Sequence, residues 1–319
     1  ALENDSRIRT KFRPDFEYRR DDQNEWILHE SPERTGDDLH EDLALLLSTS
    51  GSAGDPELVR LSATNVVSNA RAISLYLGLI ADDRAITSLP LHYSYGVSVV
   101  TSHLSRGGSL ALTETKPHTE EFWTEFSAMG ATSFAGVPLT YELLEEIGFP
   151  AREVPGLQTM TQAGGRLDPG RIKKFSHELG QRGVKFWVMY GQTEASPRIS
   201  YLPPEMTGAF PESIGYPIPG GTIRLLDPDG ETVRETDEPA ELCYQGPNVM
   251  MGYAHDRSDL AKGAEVEVLH TGDVAKRDRG GRYQIVGRAA RWVKVAGKRI
   301  SLDGLEQDVQ AAGIDARVA

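Results

Sequence analysis

From Leu43 to Gly191, short apolar runs alternate with stretches in which apolar residues recur at helical spacing. The run LALLLSTS opens the series. Val66, Ala70, Ile73 and Leu77 then fall on one face of a helix, with Ser62 placed to cap it. GSLALT, ATSFAGV, LQTMTQA and VKFWVMYG read as further strands, set apart by helical patterns such as Ile172, Phe175 and Leu179. Strands alternating with amphipathic helices predict an α/β fold over residues 43–205. Its doubly wound, mainly parallel sheet would gather ligands beyond the carboxyl ends of the strands. After about Pro204 the runs shorten, and turn signals such as DPDG and DRGG separate alternating apolar residues. That texture predicts a β-rich subdomain over 206–287. Residues 1–42 are rich in Arg, Asp and Glu, with isolated aromatics and no sustained period.

Composition narrows the partners. The chain has 319 residues, 34 Lys+Arg against 47 Asp+Glu, and a formal net charge of −13. An acidic surface repels a polyphosphate backbone, so nucleic acid is not an expected partner, and a nucleotide would have to be held by local backbone N–H groups. Cys243 is the one cysteine, which excludes an internal disulfide and suits a reducing compartment. The apolar run near Ala72–Ala81 is too short to span a bilayer, and no charged-then-apolar signal opens the chain. A cytoplasmic protein with no membrane span is the expectation.

Four loops could carry chemistry. Ser48 to Gly54 is rich in Gly and hydroxyls: the glycines let successive N–H groups converge on phosphate oxygens, and Thr49, Ser50 and Ser52 add donors. No Gly-Lys-Ser/Thr follows Gly51, so it is not a Walker loop. QAGGRLDP, Gln162 to Pro169, permits close approach of a flat group to the backbone before a helix that begins near Asp168. VMYGQTEASPR, Val188 to Arg198, ends a strand in an aromatic, a glycine, an amide, a hydroxyl and a carboxylate; the last two suit a hard cation such as Mg²⁺. In LHTGDVAKRDRGGRYQIVGR, Asp273 could accept from both hydroxyls of a ribose. Each stretch alone fits a plain turn or surface carboxylate as well. A serine hydrolase is excluded for want of a Gly-x-Ser-x-Gly elbow, and the histidines show no metal-cluster spacing.

Together and in this order, the stretches resemble the adenylate-forming superfamily of acyl-CoA synthetases, carrier-protein-loading adenylation domains and beetle luciferases. STSGSAGDPELV is similar to its phosphate loop, usually Thr-Ser-Gly-Ser-Thr-Gly-x-Pro-Lys, and YGQTEA to its Tyr-Gly-x-Thr-Glu motif. TGD, GRAARWVKVAGKRISLDGLE and AELCYQGPNVMMGY match later motifs, so the likeness runs from about Leu43 to Glu306. The resemblance implies that Thr49, Ser50, Gly51, Ser52 and Gly54 hold the β- and γ-phosphates of ATP. Gly164, Gly165 and Arg166 would line the adenine opposite Tyr190, with Gly191 and Gln192 in the same nucleotide site. Thr193 would contact the α-phosphate, Glu194 would ligate Mg²⁺, and Asp273 would hold the ribose, assisted by Arg288. The implied reaction joins a small carboxylic acid to ATP as acyl-AMP. It then passes the acyl group to a thiol of coenzyme A or of phosphopantetheine on an acyl carrier protein, releasing AMP.

The chain also departs from the pattern. Glu57 stands where the phosphate loop usually has Lys, and Ala290 where the hinge has Asp or Lys. Lys294 matches a lysine used in the second half-reaction, though a solvated lysine would fit as well. Beyond the hinge, residues 288–319 would be only the start of a mobile C-terminal domain, and 1–42 an incomplete N-terminal segment. An incomplete core without full adenylating power is therefore expected. The acid pocket would involve His92, Tyr93, Tyr95, Ala135 and Gly136. Between Leu89 and Thr101 there is no Asp or Glu to meet an α-ammonium, which favours an acid without an amino group. His92 would gate the pocket or cap a helix. A carrier-protein-loading domain and a non-catalytic nucleotide or acyl-AMP scaffold are the alternatives.

Overall fold

The computed structural model describes residues 6–31, 39–49, 57–149, 152–289, 292–295 and 298–301. Helix α1 (Ser6–Phe12) leads to a hairpin of β1 (Phe16–Arg20) and β2 (Trp26–Glu30). Then β3 (Leu43–Ser48) pairs antiparallel with β4 (Leu58–Ser62). Ser62 caps α2 (Ala63–Leu77) as expected: its hydroxyl accepts from the Asn65 N–H, and the Asn65 side chain accepts from the Ser62 N–H.

The α/β alternation follows through β5 (Arg84–Ile86), α3 (Ser94–Leu104), β6 (Ser109–Ala111), α4 (Glu120–Ala128) and β7 (Ser133–Gly136). It continues with α5 (Pro138–Glu146), β8 (Thr159–Gln162), α6 (Pro169–Gly180) and β9 (Lys185–Gly191). Asp168 caps α6 by accepting from the Arg171 N–H. The chain then passes through β10 (Arg198–Leu202), α7 (Pro204–Thr207), β11 (Tyr216–Pro217), β12 (Thr222–Leu226), β13 (Ala240–Gln245) and β14 (Gly252–Ala254). β15 (Leu269–Arg277), β16 (Tyr283–Arg288) and the hairpin of β17 (Trp292–Val295) and β18 (Lys298–Ser301) complete the order.

Seven strands form the main sheet in the order β11-β10-β9-β8-β7-β5-β6. β6, β5, β7, β8 and β9 are parallel; β10 and β11 turn antiparallel at one edge. Along β9 the side chains alternate between two cores. Phe186 and Val188 join an aromatic cluster with Trp123, Phe134 and Phe175, while Trp187 and Met189 pack with Ile73, Leu77 and Tyr95. A sheet apolar on both faces must be covered on both, here by α4, α5 and α6 on one side and α2 and α3 on the other. Each fully buried large side chain contributes roughly 1.5–3 kcal/mol, so this double core sets the sheet rigidly enough to aim the loops at its end.

The first apolar run departs from the expectation. β3 does not enter the parallel sheet; it joins β4 and β14 in a separate antiparallel sheet of order β14-β4-β3. The strand LVRLS is hard to see in the sequence because Arg60 interrupts it. The Arg60 side chain is nevertheless fully buried, donating to the carbonyls of Tyr253, Lys262 and Gly263 and to Glu265. A second antiparallel sheet, β12-β13-β15-β16, carries the strands expected from the Gly- and Asp-punctuated region.

Candidate functional site

The carboxyl ends of β8 and β9 open into a cleft of about 830 Å³, whose far wall comes from β15 and β16. Gly191 ends β9 where the chain doubles back: a Cβ there would lie 1.8 Å from the Pro197 carbonyl oxygen, so only glycine fits. The next turn, Thr193–Ala195, is a single 3-10 turn closed by Ser196 at φ 65°. Two asparagines pin it from behind. Asn248 Nδ2 donates to the carbonyls of Ala195 and Arg198, and Asn69 Nδ2 reaches the same two oxygens at 3.3 and 3.2 Å.

Thus braced, the turn puts Thr193 Oγ1 3.1 Å from Ser94 Oγ, and Glu194 Oε1 accepts from the Tyr253 hydroxyl at 2.9 Å. Burial and the Glu194 charge push the Tyr253 hydroxyl well above the usual tyrosine range, so it stays a donor. The loop after β8 lies alongside. Gln162 Nε2 holds the Gly165 carbonyl at 2.9 Å, and Gly164 sits at φ 79°, where a Cβ would fall 2.2 Å from the Tyr93 hydroxyl.

Across the cleft Asp273 joins three elements. Its Oδ2 accepts from Tyr190 Oη at 2.5 Å and its Oδ1 from Arg288 Nε at 2.9 Å, while its backbone N–H donates to Thr271 Oγ1. Burial raises the Asp273 carboxyl above its ordinary value; the Tyr190 hydroxyl and the Arg288 charge oppose that shift. Tyr190 is raised strongly by its own burial and by the Asp273 charge.

The cleft brings together Thr49, Tyr93, Tyr95, Gly164, Gly165, Arg166, Tyr190, Gly191, Gln192, Thr193, Glu194, Asp273 and Arg288. Ser50, Gly51, Ser52, Gly54 and Ala290 lie outside the described residues, and Lys294 is described only by its backbone, opposite Arg299. Three pocket residues stand elsewhere. His92 is exposed in the turn before α3 and lines neither cavity; Tyr93, not His92, occupies the cap position of that helix. Ala135 lines a separate 20 Å³ cavity behind the sheet end. Gly136 packs under Tyr141 and Phe134, whose ring carbons leave a Cβ only 3.0 and 3.2 Å. Ser94, Tyr253 and Arg198 belong to the site without having been singled out. Tyr253 ends the MMGY run, a recognisable motif whose target could not be read from the chain alone. Glu57 lies 3.5 Å from His255 Nε2, an ion pair only when the imidazole is protonated.

The family of AMP-binding enzymes matches residues 3–254, and the chain belongs to it. Oxalate–CoA ligase of Arabidopsis thaliana is 28% identical over 266 residues, covering 82% of this chain and 51% of that protein. Medium/long-chain-fatty-acid–CoA ligase FadD17 of Mycobacterium tuberculosis is 30% identical over 275 residues, covering 83% and 51%. Among solved structures, o-succinylbenzoate coenzyme A synthetase of Bacillus subtilis in complex with AMP superimposes with a TM-score of 0.71 at 25% identity, over 86% of this chain and 55% of that one. The chain spans about half the length of the curated relatives it matches. Among the described residues no helix is long and apolar enough to cross a membrane.

Proposed function

We propose that the chain is the nucleotide-binding core of an AMP-forming acid–thiol ligase. The observation that carries this reading is the joint Tyr190–Asp273–Arg288, which fixes a buried carboxylate beside an aromatic ring at the ligand end of the sheet. The nucleotide would lie between the unit over 43–205 and the β-rich unit over 206–287. Asp273 would take the ribose hydroxyls, Tyr190 would stack on adenine opposite Gly164–Arg166, and the segment from Thr49 to Gly54 would hold the outer phosphates.

Thr193 would steady the α-phosphate as a carboxylate attacks it in line. Such chemistry needs positioning and charge stabilisation more than a protein nucleophile. Glu194 and Thr193 fit Mg²⁺: both offer hard oxygen donors on the cleft wall, and Tyr253 engages only Oε1 of the carboxylate. When bound, Mg²⁺ neutralises phosphate charge. The thiol acceptor would be coenzyme A, as the names of the relatives suggest, or the pantetheine of an acyl carrier protein, with Lys294 serving that second half-reaction. One observation favours a non-catalytic nucleotide-binding scaffold instead: Glu57, in place of the phosphate-loop lysine, has a histidine beside it and so a local role of its own.

Calorimetric titration with ATP·Mg²⁺, AMP and a non-hydrolysable acyl-AMP mimic tests the reading. Binding that falls at least tenfold in Asp273→Ala is expected. Absence of binding by any of the three, or binding indifferent to Asp273→Ala, would refute it.

A further inference from the structure

Arg198 is the first residue of β10 and is 2% exposed. Its guanidinium lies over the Tyr95 ring at 4.8 Å, a cation–π contact that holds the plane but accepts none of its hydrogen bonds. The Nε hydrogen is buried without a partner, and the fork's bond to Ser98 is a long one, Nη2 to Oγ at 3.5 Å. The Tyr76 hydroxyl donates to Met189 Sδ; burial pushes it up to about 12, and the charge of the Arg198 guanidinium and a hydrogen bond from it partly offset that, so a neutral hydroxyl stands beside the fork and, among the described residues, no anion does.

No carboxylate among the described residues pairs with Arg198. The acids of the cleft are engaged elsewhere: Glu194 with Tyr253, Asp273 with Tyr190 and Arg288, and Glu212 with Gln284. A buried, permanently charged guanidinium without a counter-ion is costly, so proteins seldom keep one unless an anion comes to it. Arg198 and Tyr95 line both the cleft and the 20 Å³ cavity behind it, where Ser98 also stands, so the guanidinium sits at the inner end of the cleft.

We propose that Arg198 is an anion subsite for the acyl group: the acid taken by this cleft carries a second carboxylate, distal to the one activated. The inference deepens the ligase reading and rests on it. Because the planar fork presents paired N–H donors, a carboxylate fits it better than a lone acceptor oxygen does.

The test uses matched probes. Succinyl-, glutaryl- and adipyl-sulfamoyl adenosine are titrated into the chain, each against its monomethyl ester, with AMP as reference. The expected result is that at least one free-acid probe binds at least tenfold more tightly than its ester. Arg198→Met should abolish that preference, bringing the acid-to-ester ratio to about one, and Arg198→Lys should restore part of it. Equal binding of acid and ester across the series, or a preference that survives Arg198→Met, would overturn the anion subsite and leave the nucleotide reading intact. Failure of AMP and every probe to bind would overturn the nucleotide reading and this one with it. Should Arg198→Met not fold, the wild-type acid-to-ester ratio still decides, since a ratio near one refutes the proposal without any variant.

Discussion

Asp273 serves the site at a cost to the fold. Its carboxyl is buried and its pKa raised, so the folded protein binds the proton more tightly than the unfolded chain does. The stabilisation linked to that proton is complete below the unfolded-state value of roughly 4 and is lost as pH rises through the higher folded-state value. Above that folded-state value the ionised carboxylate is a burden on stability. Asp273→Asn keeps the shape, can still accept from Tyr190, and removes the titration. The difference in melting temperature between Asp273→Asn and wild type should shift in favour of the variant between about pH 4 and pH 7, while affinity for AMP falls at least tenfold. Thermal scans across that range, with AMP titrations at pH 7, check both. A variant whose relative stability worsens as pH rises would contradict the account. A second residue, Tyr253, would steady Glu194 through one hydrogen bond to a charged group. Tyr253→Phe should weaken ATP·Mg²⁺ binding several-fold and leave metal-free AMP binding unchanged, as paired calorimetric titrations would reveal. Asp273 and Glu194 were legible because each sits in a compact motif. Tyr253 and Arg198 were not: their significance lies in partners 59 and 100 positions away in sequence, Glu194 and Ser98.

At the scale of elements, the turn after β9 is held by side chains as well as by its own backbone. Asn248 is 1% exposed and serves three partners: it donates to the Ala195 and Arg198 carbonyls and accepts from the Tyr244 hydroxyl at 2.8 Å. Removing it leaves those groups buried without that partner, and Asn69 covers the two carbonyls only at longer range. Asn248→Ala should cost about 2–3 kcal/mol, read from urea unfolding, since each orphaned buried group costs about 1–3 kcal/mol. Nucleotide affinity should fall as Thr193 and Glu194 lose their footing. A cost below the error of the extrapolation would show that Asn69 alone suffices. Most elements could be read from periodicity and texture: α2 and α6 carry both a capping residue and an apolar stripe, β9 is a long apolar run, and β7 and β8 are short runs set between helical patterns. β5 could not, because three residues are too few to show a period. The pairing of β3 with β4 was hidden as well, because a strand with a buried arginine at its centre reads as polar until the carbonyls that receive it are known.

For the whole molecule, a net charge of −13 works against any nucleotide, so affinity must come from groups placed locally against the general field. Glu57 adds to the opposition in the very segment whose family pattern carries a lysine. Its side chain is 39% exposed, and its neighbour His255 is more exposed still, so solvent screens much of the effect. Reversing the sign there changes the local charge by two units at a partly solvated position. With an exposed charge interaction worth roughly 0.2–1 kcal/mol per unit, Glu57→Lys should tighten ATP·Mg²⁺ binding about two- to thirtyfold. AMP, which lacks the outer phosphates, should gain much less, and the gain for ATP should shrink as salt is raised from about 50 to 500 mM, because the Debye length falls across that range. Titrations of both nucleotides into wild type and variant at the two salt concentrations separate the possibilities. Weaker ATP binding in Glu57→Lys would mean that the contact with His255 shapes the phosphate segment and that the carboxylate is part of its working form. An equal gain for AMP would place the effect in the general field of the molecule, and only a gain confined to ATP and sensitive to salt locates it at the outer phosphates.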